Sequence, residues 1–155
     1  MRDFDEAGLQ RCKFQARLFE LSASRTHGSS SVFIRSFMNS RFSALLDSDS
    51  FVFSDYDSEK IISEMSRFYK LDRGNGKYSA EELYWIGYLY RYWCYVYLLS
   101  SRSVYAIVKP EELRSLYLPY HSLDPDSAIR RICEVKGIEP ERSIVDSLRK
   151  AHSYT

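Results

Sequence analysis

The residues best suited to chemistry, cysteine and histidine, are few and widely spaced in this sequence. The chain has three of each: Cys12, Cys94, Cys133, His27, His121 and His152. No two of them stand at the C-x-x-C or H-x-x-x-H spacing of structural zinc sites. No Cys, Asp or Glu has a spacing that would make His121 part of a catalytic triad. The sequence therefore predicts no metal, no cofactor and no enzyme active site.

Two polar segments also lack the pattern of an ion-binding loop. Asp47, Asp49, Asp55 and Asp57 alternate along the chain, but without the glycine and the terminal glutamate of a calcium loop. The Gly-Asn-Gly run at 74–76 lacks the Gly-Lys-Ser/Thr ending of a phosphate-binding loop. We interpret the first segment as an acidic surface loop and the second as a turn.

Length and composition indicate one ordinary cytosolic domain. The chain has 155 residues, of which 45% are hydrophobic and 28% charged, and a net charge of +1. That charge gives no general attraction to nucleic acid or anionic lipid. The three distant cysteines indicate reduced core thiols, and the acidic residues near Met1 argue against a signal peptide. A cytoplasmic location without membrane contact is expected.

The most unusual segment is Leu83–Leu99, which holds eight aromatic residues and a single charge, Arg91. Ser79 and Glu82 stand at capping-box spacing just before it, which favours a helix over the strand that tyrosine and tryptophan would otherwise suit. The segment is shorter than the roughly 20 apolar residues of a membrane span. The sequence predicts a central, buried helix over about residues 79–99.

Helical periodicity divides this helix into three stripes, of which two are apolar enough to face a core. The third stripe carries a polar tip on every residue: Tyr84, Tyr88, Arg91 and Tyr95. In one interpretation these side chains line the rim of the core and Arg91 pairs with an acid, for example in the acidic segment. In the other they form a surface for a partner, because Tyr, Trp and Arg dominate interface hot spots. Gly87, beside the stripe, would let another backbone approach closely.

The remaining pattern predicts further helices and no sheet. They are expected over residues 4–27, 32–38, 41–46, 59–71, 103–108, 110–119, 126–136 and 141–152. In the fourth of these, Phe68 and Tyr69 are expected to face the core. The fold prediction is an all-α, compact multi-helix single domain, with residues 1–136 as its body and an amphipathic C-terminal helix in 137–155.

Two further segments are candidates for binding. Tyr117 and His121 are placed in a turn before a proline-started helix, as secondary partner-binding residues after the tyrosine stripe. Residues 101–118 could form a helix-turn-helix. Its second helix has the basic residue Arg114 but also the acidic residues Glu111 and Glu112. A face that binds phosphates requires clustered basic residues. DNA binding by a transcriptional regulator is therefore the alternative, and an enzyme with a site around His121 and Arg91 is a third.

Three segments resemble a family of small uncharacterised proteins of Gram-positive bacteria. They are FIRSFMNSRFSALLD at Phe33–Asp47, LYWIGYLYRYWCY at Leu83–Tyr95 and LYLPYHSLDPDSAI at Leu116–Ile129. The resemblance covers roughly residues 4–136, and such genes tend to lie beside toxin-like or mobile-element genes. It implies an antitoxin or accessory protein that binds a co-encoded partner, and it supplies no catalytic residues. The expected function is thus non-enzymatic protein binding, through Tyr84, Tyr88, Arg91, Tyr95, Tyr117 and His121.

Overall fold

The computed structural model describes residues 1–51 and 53–141, and this part of the chain contains α-helices, one 3-10 turn at Phe53–Asp55 and no strand. The helices are α1 (Glu6–Arg25), α2 (Ser30–Met38), α3 (Arg41–Asp47), α4 (Ser58–Phe68), α5 (Ala80–Tyr97), α6 (Ser101–Ile107), α7 (Pro110–Tyr120) and α8 (Pro125–Lys136). The all-α single domain predicted from the sequence is confirmed. The helix expected over 141–152 falls almost entirely outside the described residues.

Short polar side chains start most of the helices, because their oxygens accept from backbone N–H groups that have no partner within the helix. The capping box of α5 is present: Ser79 Oγ accepts from the Glu82 N–H at 3.1 Å, and Glu82 Oε1 accepts from the Ser79 N–H at 2.9 Å. At the other end of the chain, Gly137 stops α8 with φ of 68°, a conformation that glycine adopts without strain.

Helix α5 forms the centre of the domain and packs along α1. Its first apolar stripe, Leu83, Ile86, Tyr90, Trp93 and Tyr97, is buried throughout. The two helices approach most closely at Gly87, where a Cβ atom would lie 2.9 Å from the Gln15 carbonyl oxygen and 3.0 Å from the Ala16 Cα. The expected role of Gly87 in close backbone approach is therefore confirmed. Helices α6, α7 and α8 complete the cover around α5.

Two local expectations were wrong. Phe68, expected inside, is 67% exposed, because α4 ends there and Tyr69 turns into an extended conformation. The sequence also placed Tyr117 and His121 in a turn. His121 does lie in the turn that follows α7, but Tyr117 is helical, because α7 continues through Pro119 to Tyr120. Pro119 has no N–H to bond the carbonyl four residues earlier, and α7 ends only one residue after it.

The three cysteines are buried free thiols, as expected for core residues. Burial raises the pKa of Cys12, Cys94 and Cys133 to about 12, so all three stay protonated near neutral pH. None of the helices in residues 1–51 and 53–141 combines the length and the apolar composition needed to cross a membrane.

Candidate functional site

The polar stripe of α5 divides into a buried half and an open half. Arg91 and Tyr95 are 1% and 6% exposed, whereas Tyr84 is 36% exposed and Tyr88 is half-buried. The stripe turns inward along the helix because the N-terminal segment and α3 cover its second half. Only the first half offers surface to another molecule.

Arg91 lies at the centre of a buried polar network that joins four helices. Its Nε donates to Gln15 Oε1 at 2.8 Å, its Nη1 to Asp47 Oδ1 at 2.6 Å and its Nη2 to Ser101 Oγ at 2.7 Å. Gln15 donates onward to the Gly87 carbonyl at 3.0 Å. The guanidinium thus pairs with the first acid of the acidic segment, and its three nitrogens are all engaged within the chain.

Tyr95 is also held by the chain itself. Its hydroxyl donates to Asp5 Oδ1 at 2.5 Å, and the Arg2 guanidinium lies 4.0 Å from its ring centroid. Burial, followed by the bond to Asp5, raises the Tyr95 pKa. The same bond, with the Gly8 N–H, lowers the pKa of Asp5, which caps α1. Tyr95 therefore fastens the start of α1 to α5.

The open half of the stripe faces a groove of about 350 Å³ between α1, α5 and α7. Its lining residues are Glu20, Glu81, Tyr84, Trp85, Tyr88, Tyr117 and His121. Four of the six residues predicted to bind a partner, Tyr84, Tyr88, Tyr117 and His121, thus meet in one place. Tyr84 and Tyr88 lie on α5, and Tyr117 and His121 lie at the end of α7, at least 29 residues later in sequence, so their meeting is a property of the fold.

A ladder of rings connects α5 to α7 along one wall of the groove. Trp85 meets Tyr117 edge to face, with ring centroids 5.8 Å apart, and Tyr117 stacks on His121 at 4.5 Å. Such ring pairs add about 0.5–1.5 kcal/mol beyond the area they bury. The wall is therefore firm enough to hold its shape before a partner arrives.

The imidazole of His121 is held in one tautomer. Its Nδ1 lies 2.8 Å from the Tyr117 carbonyl oxygen and 3.2 Å from that of Leu118. Carbonyl oxygens can only accept, so Nδ1 carries the proton. In the neutral ring Nε2 is then the nitrogen that can accept a hydrogen bond.

The two charged side chains in the groove lining are both acids, Glu20 and Glu81. Glu20 forms an ion pair with Arg17 on the same helix. Glu81 forms no ion pair within the described part of the chain. Burial raises the pKa of Tyr88 to about 12, so its ring remains a neutral phenol. Aromatic faces and carboxylates together make a groove that attracts cations.

The contacts of the described residues support two other hypotheses less well: an enzyme site around His121 and Arg91, and a DNA-binding helix-turn-helix. His121 and Arg91 line different cavities, so the acid, base and cation of a single reaction centre are not assembled there. Helices α6 and α7 form at the place predicted for a helix-turn-helix. However, Arg114 on α7 is engaged by Glu82 at 3.2 Å and by the ring of Tyr78.

Comparison with models of protein families, with curated proteins and with solved structures finds no match to this chain.

The sequence interpretation missed Trp85, Glu20 and Glu81 as members of the groove. Trp85 belongs to a neighbouring stripe of α5, and the groove lies across the boundary between stripes. Glu20 is recognisable only once α1 is known to run along α5. A signal was available for Trp85: it directly follows Tyr84 and precedes Tyr88 by three residues, which places all three on adjoining parts of the helix surface.

Proposed function

We propose that this chain is a non-enzymatic protein-binding module, and that the groove between α1, α5 and α7 receives a basic side chain of its partner. One observation carries the proposal: four aromatic side chains and two glutamates line one open groove. A Lys or Arg head over aromatic faces gains about 0.5–2 kcal/mol from each well-placed contact, and more as water is excluded. Tyr and Trp are also the side chains most enriched at interface hot spots.

The proposed module acts by occlusion, as an antitoxin or accessory protein that covers a co-encoded partner. This finer assignment is supported by the family resemblance of residues 4–136. The open half of the stripe supports the contact itself, since Tyr84 and Tyr88 are accessible while Arg91 and Tyr95 hold the fold. Arg91 and Tyr95 are thus proposed to support the groove from behind rather than to touch the partner.

The test uses the product of the gene adjacent to this one. We expect that its expression arrests growth, that co-expression of this chain relieves the arrest, and that the two purified proteins form a complex. Tyr84→Ala should weaken that complex by at least about 1–2 kcal/mol if the residue is a hot spot. Glu81→Gln should weaken it less and make the affinity less sensitive to salt, because a cation would lose its carboxylate partner.

Phe68→Ala is the matched control for this experiment. Phe68 is also an exposed aromatic residue, but it lies at the end of α4 and outside the groove. Its replacement should leave the complex unchanged. A neighbouring protein that arrests growth and is neither bound nor relieved would overturn the antitoxin proposal. Retention of this chain on duplex DNA, falling steeply with added salt, would instead favour the regulator.

A further inference from the structure

A second cavity, at the C-terminal end of α5, contains a buried guanidinium with no carboxylate partner among the described residues. Arg11 is 6% exposed, and its hydrogen bonds go to the carbonyl oxygens of Ser48 at 3.2 Å and Ala7 at 3.5 Å. A buried charge is unfavourable unless an opposite charge and hydrogen bonds compensate it. The two backbone carbonyls, together with the rings of Phe53 and Tyr95 at 5.8 and 6.0 Å from the guanidinium carbon, supply part of that compensation, but no carboxylate does.

The other charges of the cavity are already paired. Arg91 pairs with Asp47 at 2.6 Å, and Arg2 pairs with Asp49 at 3.1 Å. Arg11 therefore leaves the cavity with one positive charge that no carboxylate compensates. In the described residues no fully buried side-chain nitrogen or oxygen lacks a hydrogen-bond partner, so Arg11 Nε, which has no partner there, is not fully buried. Arg11 is one of the residues that line the cavity.

Three leucines line the cavity beside Cys94, Tyr95 and Ser100, and one of them has a left-handed backbone conformation. Leu46, Leu98 and Leu99 form the walls around the cavity, which has a volume of about 300 Å³. Leu98 adopts the left-handed conformation, with φ of 56° and ψ of 44°, and is 67% exposed. A bulky residue in this conformation is uncommon; here it ends α5, and its N–H donates to the Cys94 carbonyl.

We propose that this cavity binds a small organic carboxylate, with its head at Arg11 and its apolar part against the leucine walls. The planar guanidinium fork matches a carboxylate in geometry, and the single uncompensated charge matches a monoanion. The volume lies at the lower end of the range of ligand sites, which selects a short chain. This site is separate from the groove, and neither proposal depends on the other.

The test is calorimetric titration of the full chain with hexanoate and, in parallel, with hexan-1-ol and inorganic phosphate. Hexan-1-ol has the same apolar chain without the charge, and phosphate has the charge without the chain. We expect hexanoate to bind at least about tenfold more tightly than either. Arg11→Gln should abolish this preference, while Lys13→Gln, which removes one exposed charge from the same helix, should preserve it.

A matched pair at Leu98 keeps the test valid if Arg11→Gln does not fold. Leu98→Asn and Leu98→Asp have the same size and both tolerate the left-handed conformation. Only the second places a carboxylate at the mouth. Leu98→Asp should bind hexanoate about tenfold more weakly than Leu98→Asn. Equal binding by this pair, or equal affinity of the wild-type chain for hexanoate and hexan-1-ol, would overturn the proposal, as would phosphate binding as tight as hexanoate.

Discussion

A single guanidinium, that of Arg91, connects α5 to α1, α3 and α6 through side chains that are themselves largely buried. The hydrogen bonds with Gln15, Asp47 and Ser101 place every member of the network in one geometry. Networks of this kind specify how helices meet, because a shifted arrangement would leave polar atoms unpaired in a low-dielectric interior. The position of Arg91 therefore determines the position of the helices around α5.

The first prediction follows at this residue. Arg91→Ala should lower the free energy of unfolding by about 3 kcal/mol, since the buried Gln15 Oε1 loses its donor and Asp47, whose side chain is 20% exposed, loses its cation. Urea unfolding followed by circular dichroism measures the change. Arg102→Ala is the control: Arg102 is exposed, and its one hydrogen bond among the described residues goes to the Asn39 carbonyl at 3.4 Å, so its loss should change stability by no more than about 0.5 kcal/mol. Unchanged stability of Arg91→Ala, together with a lost partner complex, would contradict the structural role.

At the scale of elements, the short distance between α1 and α5 at their crossing affects both the interior and the groove. The Gly87 backbone lies against the backbone of Gln15 and Ala16 and against the Phe19 ring, which leaves no room for a side chain at this position. Moving the two helices apart would disturb both the Arg91 network, which spans the crossing, and the groove, to which α1 contributes Glu20. One glycine thus influences both the interior and the proposed binding surface.

The second prediction concerns this crossing. In an exposed helix, replacing glycine by alanine stabilises by about 1 kcal/mol. Gly87→Ala should instead destabilise the domain by about 1–3 kcal/mol, because the new methyl group would press against backbone that cannot move aside as a side chain can. Thermal unfolding of the Gly87→Ala variant and of the unchanged chain shows whether the gain from helix propensity or the loss from crowding is larger. The reverse exchange at an exposed helical site, Ala106→Gly, should cost about 1 kcal/mol through propensity alone. A Gly87→Ala variant more stable than the unchanged chain would contradict this prediction, since it would show that α1 can move away from α5.

The helices were accessible from the sequence because their signals are local. Ser79 and Glu82 are three residues apart and mark the start of α5 by themselves, and Gly137 marks the end of α8 in the same way. The partner of Arg91 could be placed only in a segment, since nothing in the sequence orients α3 against α5. Predicting the groove required still more information. Glu20 and Tyr117 lie near Trp85 only because of the angles between three helices, and those angles depend on packing rather than on neighbouring residues in the sequence.

At the scale of the whole molecule, the abundance of tyrosine couples folding to alkaline pH. Burial is the first cause that raises the pKa of seven tyrosines: Tyr78, Tyr88, Tyr90, Tyr92, Tyr95, Tyr97 and Tyr105. Each of these rings is held neutral by the fold while the unfolded chain would release its proton near pH 10. The stabilisation is complete below that pH and is lost as the pH rises above it.

The third prediction is therefore a cooperative alkaline transition. As the pH rises above about 10, phenolate absorbance should increase together with the loss of helical circular dichroism, because buried rings ionise only when the chain unfolds. The urea-unfolded chain, as control, should titrate smoothly near pH 10. Complete ionisation of all 13 tyrosines near pH 10 with full helicity retained would contradict the burial of these rings.

The two tryptophans of the chain lie in opposite settings. Trp93 is fully buried and donates its indole N–H to the Pro140 carbonyl at 2.9 Å, whereas Trp85 is half-buried in the groove wall against Tyr117. The fluorescence of the two tryptophans therefore reports on two different regions of the molecule. Emission from Trp93 reports on the integrity of the interior, and emission from Trp85 reports on occupation of the groove. With Trp93→Phe and Trp85→Phe, each signal can be recorded alone, without any added label.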